Sequence, residues 1–236
     1  MGAVYLLTLR QLSGRWRIVI MSILAAMPVL ISGIMLSSSN APSLRDFEGT
    51  VLSAMLAGSI APLIVLAIAA AAFAIELEDR TLANLTLSPI PRWQIVVPKL
   101  LASITIAAPF IAASAFATSY IAYLGDLTAV MSVTASVVVG VALYASAFIW
   151  LGLMTTQAIG VGLLYIVLWE GFFARYVSGV RLLSIRYHSI GLMHGLDERR
   201  FVGTHLSLGV TIVVAVVVFV GFAMLAIRRL RRMDVP

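Results

Sequence analysis

The sequence has no cysteine and very few charged residues. Because cysteine is absent from all 236 residues, disulfide bonds, thiolate metal sites and a cysteine nucleophile are excluded. Charged side chains make up 11% of the chain, whereas soluble domains carry roughly 25%. Apolar residues reach 61%, and the mean hydropathy is +1.07. The composition therefore indicates an integral membrane protein.

The chain also lacks the motifs of several enzyme classes. Its single lysine, Lys99, stands between a proline and a leucine, so a phosphate-binding loop with Gly-Lys followed by Ser or Thr is impossible. No Gly-x-Ser-x-Gly elbow is present for a serine nucleophile. The spacings of His188, His194 and His205 match no compact zinc motif. We predict that the chain is not an enzyme and that it binds no metal or other cofactor itself.

Long apolar stretches are what the sequence does contain. About 20 apolar residues suffice to cross a bilayer core of about 30 Å. Six stretches predict membrane spans, at about 18–36, 51–75, 95–124, 128–154, 158–169 and 206–227. The sequence shows no internal repeat, so residues 1–236 are predicted to form a single domain. The predicted fold class is an all-α polytopic membrane protein with six transmembrane helices.

Arginines at the two ends of the chain predict its orientation. Three of them precede the first span, and the last span is followed by Arg228, Arg229, Arg231 and Arg232. Six spans place both termini on one side, and the positive-inside rule makes that side the cytoplasm. We therefore predict a multi-pass protein of the cell inner (plasma) membrane with both termini cytoplasmic. Because arginines that set topology account for the net charge of +6, the charge does not indicate a nucleic-acid partner.

Residues 1–17 have a helical pattern of their own. Apolar residues recur at three- and four-residue steps and share one helical face: Tyr5, Leu9, Leu12 and Trp16. This pattern predicts an interfacial helix lying on the inner membrane surface. Two interpretations stay open, a basic tail that only fixes orientation and an elbow that slides along the bilayer and contacts a partner subunit.

A cluster of charges follows the second predicted span. The four charged residues come directly after the uncharged run 51–75, and they are Glu76, Glu78, Asp79 and Arg80. A charge in hydrocarbon costs about 3 kcal/mol, so the chain must reach the surface here. The next residues predict a short amphipathic helix with Leu82 and Leu85 on one face, closed by Pro89 and followed by Arg92. Such a helix either turns the chain round or presents a surface to a soluble partner.

This segment resembles the permease subunits of ATP-binding-cassette exporters of the type-2 class. Their signature is close to E-x-E-x-G-T-L-x-x-L-x-x-x-P-I-x-R-x-x-I-x-x-x-K. The matching residues here are Glu76, Glu78, Thr81, Leu82, Leu85, Pro89, Ile90, Arg92, Ile95 and Lys99. The one departure is Arg80, which stands where the family has glycine.

The resemblance implies a role for the segment and a set of partners. Residues 76–92 would be the cytoplasmic coupling helix, which docks on a separate ATPase subunit present in two copies. That subunit would bind ATP and magnesium. A second permease copy, in a homodimer or a heterodimer, would complete the translocation pathway within the membrane lipid. The transported substrate is left open among a lipid, a drug and a peptide.

The region 170–205 combines charges with large apolar side chains. Two short helices that dip into the outer leaflet, with arginines reaching the headgroups, would reconcile both properties. The resemblance also implies such an outer re-entrant hairpin between spans five and six. Glu170 is the acid that lies deep within an apolar run. It either anchors the hairpin by pairing with Arg175 or Arg181, or it belongs to a substrate or proton path.

Three function classes remain in competition. The favoured one is the permease subunit of an ATP-driven exporter. An ion-coupled carrier that uses Glu170 is the alternative, although spans one to four carry no ionisable group at mid-depth. An intramembrane hydrolase is disfavoured because the nucleophile and metal motifs are missing.

Overall fold

The described part of the chain is helical throughout. The computed structural model describes residues 2–38, 42–73, 91–173, 184–201 and 207–232. Within these ranges the helices are α1 (Gly2–Leu12), α2 (Arg15–Ser37), α3 (Leu44–Phe73), α4 (Trp93–Ala122), α5 (Leu127–Met154), α6 (Ala158–Phe173), α7 (Ile185–Leu196) and α8 (Leu208–Arg232). The prediction of an all-helical, membrane-embedded protein is confirmed at this level.

The helices differ in whether they can cross a bilayer. Among the described residues, five are long and apolar enough to do so, namely α2, α3, α4, α5 and α8. Helix α6 covers the predicted fifth span but contains only 7 α-helical and 9 π-helical residues. At most it is about 24 Å long, which is less than the bilayer core of about 30 Å. The structure therefore shows five spanning candidates and one shorter apolar helix.

The bundle is built round α3, α4 and α5, while α2 and α8 are largely exposed. Small residues on α5 let its neighbours approach closely. A Cβ atom added at Gly140 would lie 2.5 Å from Ser189 Oγ on α7, and one at Gly152 would lie 2.6 Å from the Ala70 carbonyl oxygen on α3. The predicted close approach of a helix at Gly140 is thus confirmed.

Two stretches of the bundle are wound as π-helix, which is wider than the α-helix. They are Glu48–Ile60 in α3 and Tyr165–Phe173 in α6. The hydroxyl of Ser59 donates to the carbonyl of Ala54 at 3.0 Å, five residues back in the π-helical stretch of α3. Because π-helical turns are frequent at functional sites, these stretches draw attention to the acids that they contain, Glu48 and Glu170.

The N-terminal helix is shorter than the sequence pattern predicts. Helix α1 ends at Leu12, and α2 begins at Arg15. Gly14 between them has an extended backbone with ψ of 138°, which interrupts the helical hydrogen bonding. Trp16 therefore lies in the first turn of α2, where it is 79% exposed. The prediction that Trp16 shares a face with Tyr5, Leu9 and Leu12 must be corrected.

Candidate functional site

Most of the predicted coupling segment lies outside the described residues. This applies to Glu76, Glu78, Asp79, Arg80, Thr81, Leu82, Leu85 and Pro89. Arg92 is described and directly precedes α4. The helices on either side, α3 and α4, are both long enough to span a membrane. The described part of this site consists of these two flanking helices and the contact between them.

Lys99 forms that contact. Its side chain is almost fully buried, with 1% exposed, although it carries the only ammonium group of the chain. The Nζ atom donates a hydrogen bond of 2.5 Å to the carbonyl oxygen of Ala72, in the last described turn of α3. The same atom lies 4.2 Å from the ring centroid of Phe73, within the range of a cation–π interaction.

The contacts of Lys99 tie α4 to α3. A buried ammonium is tolerated only where acceptors replace its lost water, and the carbonyl and the aromatic ring supply that compensation. Cations are also favoured beside the carbonyl groups near the C-terminal end of a helix. The two helices that enclose the segment 74–90 are therefore fixed to each other directly beside it.

Glu170 forms a second buried polar site, between α6 and α7. Its side chain is fully buried. Oε1 accepts hydrogen bonds from the Ile185 main-chain N–H at 3.0 Å and from the Tyr165 hydroxyl at 3.1 Å. Oε2 accepts from the Ser184 hydroxyl at 2.5 Å. The carboxylate is thus bound by three donors of its own chain.

This carboxylate lies at the N-terminus of α7. Ser184 is the N-cap residue of that helix, and its hydroxyl oxygen accepts from the Tyr187 N–H at 3.2 Å. The first N–H groups of a helix have no partner within the helix, and they favour an anion nearby. Glu170 therefore joins α6 to the first turn of α7 and helps to satisfy it.

The predicted arginine partners of Glu170, Arg175 and Arg181, lie outside the described residues. Sequence reasoning missed Ser184 and Tyr165. A serine just before the helical pattern of α7 is a usual start signal, so Ser184 was detectable as a cap. Nothing in the sequence connects that cap with an acid 14 residues earlier.

A third polar cluster lies where α3 begins and α7 ends. His194 Nε2 is 2.5 Å from Glu48 Oε1, and the guanidinium of Arg200 lies 5.4 Å from the ring centroid of Tyr123. Burial raises the pKa of the Tyr123 hydroxyl above its ordinary value, and the nearby Glu48 carboxylate acts in the same direction. This cluster connects α3 and α7 with the residues that follow α4 and α7.

Metal binding and similarity to known proteins add no further assignment. Within the described ranges, no three side chains of the usual metal-binding types converge, and His205 lies outside those ranges. No family model matches the chain, and no curated protein sequence matches it. Its function is therefore inferred from the signature residues and from the helices beside them.

Proposed function

We propose that the chain is the membrane-spanning permease subunit of an ATP-binding-cassette exporter. The observation that carries this proposal is the position of the signature, residues 76–99, between two long apolar helices. Its last residue, Lys99, fixes those helices to each other. A docking segment held between two joined spans suits the transfer of motion from a soluble ATPase into the membrane.

The proposed complex contains two ATPase subunits, which bind ATP and magnesium, and a second permease copy. Each permease has six spans, with α6 as the fifth, and both termini lie in the cytoplasm of a plasma-membrane protein. Residues 170–205 form the outer hairpin and include α7. On the inner side, α1 packs on α4, where the Tyr5 hydroxyl donates to Thr105 Oγ1 at 3.1 Å. This contact supports the proposed elbow role of α1.

The coupling step follows from the chemistry of the segment. Leu82 and Leu85 lie three residues apart in the sequence, so a helix would place them on one face as apolar anchors for a partner. Pro89 would hold the end of that helix rigid. Displacement of the ATPase would then move α3 and α4 together, because Lys99 joins them.

The ion-coupled carrier that uses Glu170 remains the alternative function. A proton or ion site needs a group that can exchange its partners during the cycle. Both carboxylate oxygens of Glu170 already accept hydrogen bonds from donors that start or flank α7. This arrangement favours the anchor role over the carrier role.

The experiment that tests the proposal replaces Leu82 and Leu85 together with Asp. Placing two unpaired carboxylates in a docked interface should cost several kcal/mol, about 3–5 for a buried unpaired charge, which would weaken a micromolar contact beyond detection. The tagged chain is purified from native membranes, and the copurified ATPase is quantified at equal membrane expression. We expect the ATPase with the unmodified chain and its loss with the double variant.

A matched control replaces two leucines at the other end of the bundle. Leu44 and Leu196 are 44% and 43% exposed, and they lie at the start of α3 and the end of α7. Their double replacement with Asp should leave ATPase recovery unchanged. Undiminished recovery with the Leu82 and Leu85 variant would contradict the docking role. The absence of any ATPase with the unmodified chain would contradict the proposed function itself.

A further inference from the structure

A cavity of about 450 Å³ lies between α5, α6, α7 and α8. It is distant in sequence from the coupling segment, and neither the Lys99 contact nor the His194 cluster contributes to it. Its described lining includes Ala147, Trp150, Val161, Trp169, Val218 and Phe222. Two of the four tryptophans of the chain thus line one space.

The lining is almost entirely apolar. Tyr165 and His188 are the ionisable residues among the described residues of the wall. The Tyr165 hydroxyl donates to Glu170, so it is already engaged within the bundle. Polar ligands require several placed polar groups in their pocket. The chemistry of this wall instead suits hydrocarbon.

The position of the cavity identifies where that hydrocarbon would come from. Val214 and Val218 of α8 line the cavity, while Val213 and Val217 on the same helix are 61% and 63% exposed. A single helix therefore separates the cavity from the exterior of the bundle. Val161 on α6 lines the cavity and is itself 42% exposed, which marks an opening beside α6. In a bilayer, that opening meets lipid.

The volume distinguishes between the possible apolar occupants. A partner helix about 10–12 Å wide would need roughly 400–600 Å³ for each turn of about 5.4 Å. The cavity of about 450 Å³ would hold only one such turn. A narrow flexible chain can follow the same space along its length and contact all four helices.

We infer that this cavity binds one acyl chain of a membrane phospholipid, which enters beside α6. Within a bilayer there is no hydrophobic gain in leaving the lipid phase. The chain is held by the dispersion contacts that it makes with the walls. Because Trp169 immediately precedes Glu170, a bound chain also supports the part of α6 that holds the start of α7. The inference does not depend on the proposed exporter function.

The first test uses the unmodified protein. It is purified in mild detergent, and native mass spectrometry determines which lipids remain bound. We expect about one phospholipid for each chain, as for a single pocket of drug-sized volume. Retention of no lipid would overturn the inference, and retention of a free fatty acid in place of a phospholipid would overturn the assigned source.

The second test locates the bound chain. Replacing Trp16 and Trp93 with Phe leaves Trp150 and Trp169 as fluorescent reporters, and this protein is placed in phosphatidylcholine vesicles whose acyl chains carry bromine. Bromine quenches an indole that it contacts. Val218→Phe should fill the cavity and remove most of the quenching, together with the lipid seen by mass spectrometry. Val217→Phe, on the exposed face of α8, should change neither.

A further variant guards against misfolding. If Val218→Phe does not give a monodisperse protein, Ala147→Leu adds a smaller volume to the same cavity from α5. Loss of the retained phospholipid in either folded variant supports the site. Equal quenching and equal lipid retention in the filled variants and in Val217→Phe would show that lipid contacts the tryptophans only from outside, and the inference would fail.

Discussion

Lys99 and Glu170 are both buried and ionisable, and both join two helices that are separated by a further segment of chain. The Lys99 ammonium donates to a main-chain carbonyl in α3, that of Ala72. The Glu170 carboxylate accepts from a main-chain N–H at the start of α7, that of Ile185. The first contact links α3 to α4, and the second links α6 to α7. Each charge is therefore matched to the main-chain group that suits its sign.

The difference between the two sites lies in what would remain if the charge were removed. Without Glu170, two hydroxyl donors and one N–H would lose their acceptor in a buried place. Without Lys99, the Ala72 carbonyl would lose one donor. Buried N–H groups without a partner are rarer in proteins than under-satisfied carbonyl groups, which have two lone pairs. The comparison predicts that the bundle depends more on Glu170 than on Lys99.

The largest effect is expected for Glu170→Ala. Breaking a buried charged network by removing one partner lowers the free energy of unfolding by about 3–5 kcal/mol. Glu170→Gln should cost less, because the amide oxygen still accepts one hydrogen bond. The measurement is the fraction of protein that stays monodisperse in gel filtration after heating in detergent. Glu198→Ala, at an exposed acid, is the control, and equal melting of both Ala variants would remove the anchor role of Glu170.

Lys99→Met should have a smaller effect. The change keeps the length of the side chain and removes a hydrogen bond from a charged donor, which contributes about 1.5–3 kcal/mol. The same heating assay applies, with Gln94→Met as a control that introduces methionine elsewhere on α4. A greater loss of stability for Lys99→Met than for Glu170→Ala would reverse the comparison, and no loss would show that α3 and α4 do not depend on this contact.

The smallest effect is expected for Tyr5→Phe, which removes a neutral hydrogen bond between α1 and α4. The bond from Tyr5 to Thr105 is exposed, so water can replace it, and we expect a loss of about 0.5 kcal/mol or less. Tyr120→Phe on α4 is the control, since among the described residues its hydroxyl makes no hydrogen bond. A large shift for Tyr5→Phe alone would show that α1 stabilises the bundle as strongly as the buried charges do.

Sequence reasoning succeeded where the evidence is local. The runs without charge predicted α2, α3, α4, α5 and α8, because the free energy of placing a residue in hydrocarbon depends mainly on its own side chain. Asp126 was predicted to mark a turn, and it accepts from the Thr128 N–H at 3.2 Å to cap α5. Gly140 was predicted to allow close packing, and it does so against Ser189.

The sequence pattern failed where two local signals conflicted or stopped. The apolar repeat from Tyr5 to Trp16 continued past Gly14, but the extended backbone at that glycine ended α1 and placed Trp16 on another helix. The apolar run of the fifth predicted span continued to Phe173 as a helix, yet it remained shorter than the spanning helices. Periodicity does not record where a backbone leaves the helical conformation.

By itself, the sequence determined that this is a helical, membrane-embedded chain, and it marked Glu170 and the segment 76–92 as unusual. Only the tertiary structure decided which groups hold the buried charges. Glu170 is bound by Ser184 and the Ile185 N–H, and Lys99 by the Ala72 carbonyl. Nearly every residue carries the same main-chain donor and acceptor, so the sequence cannot show which of them lies beside a buried charge. That choice is made when helices distant in sequence pack together.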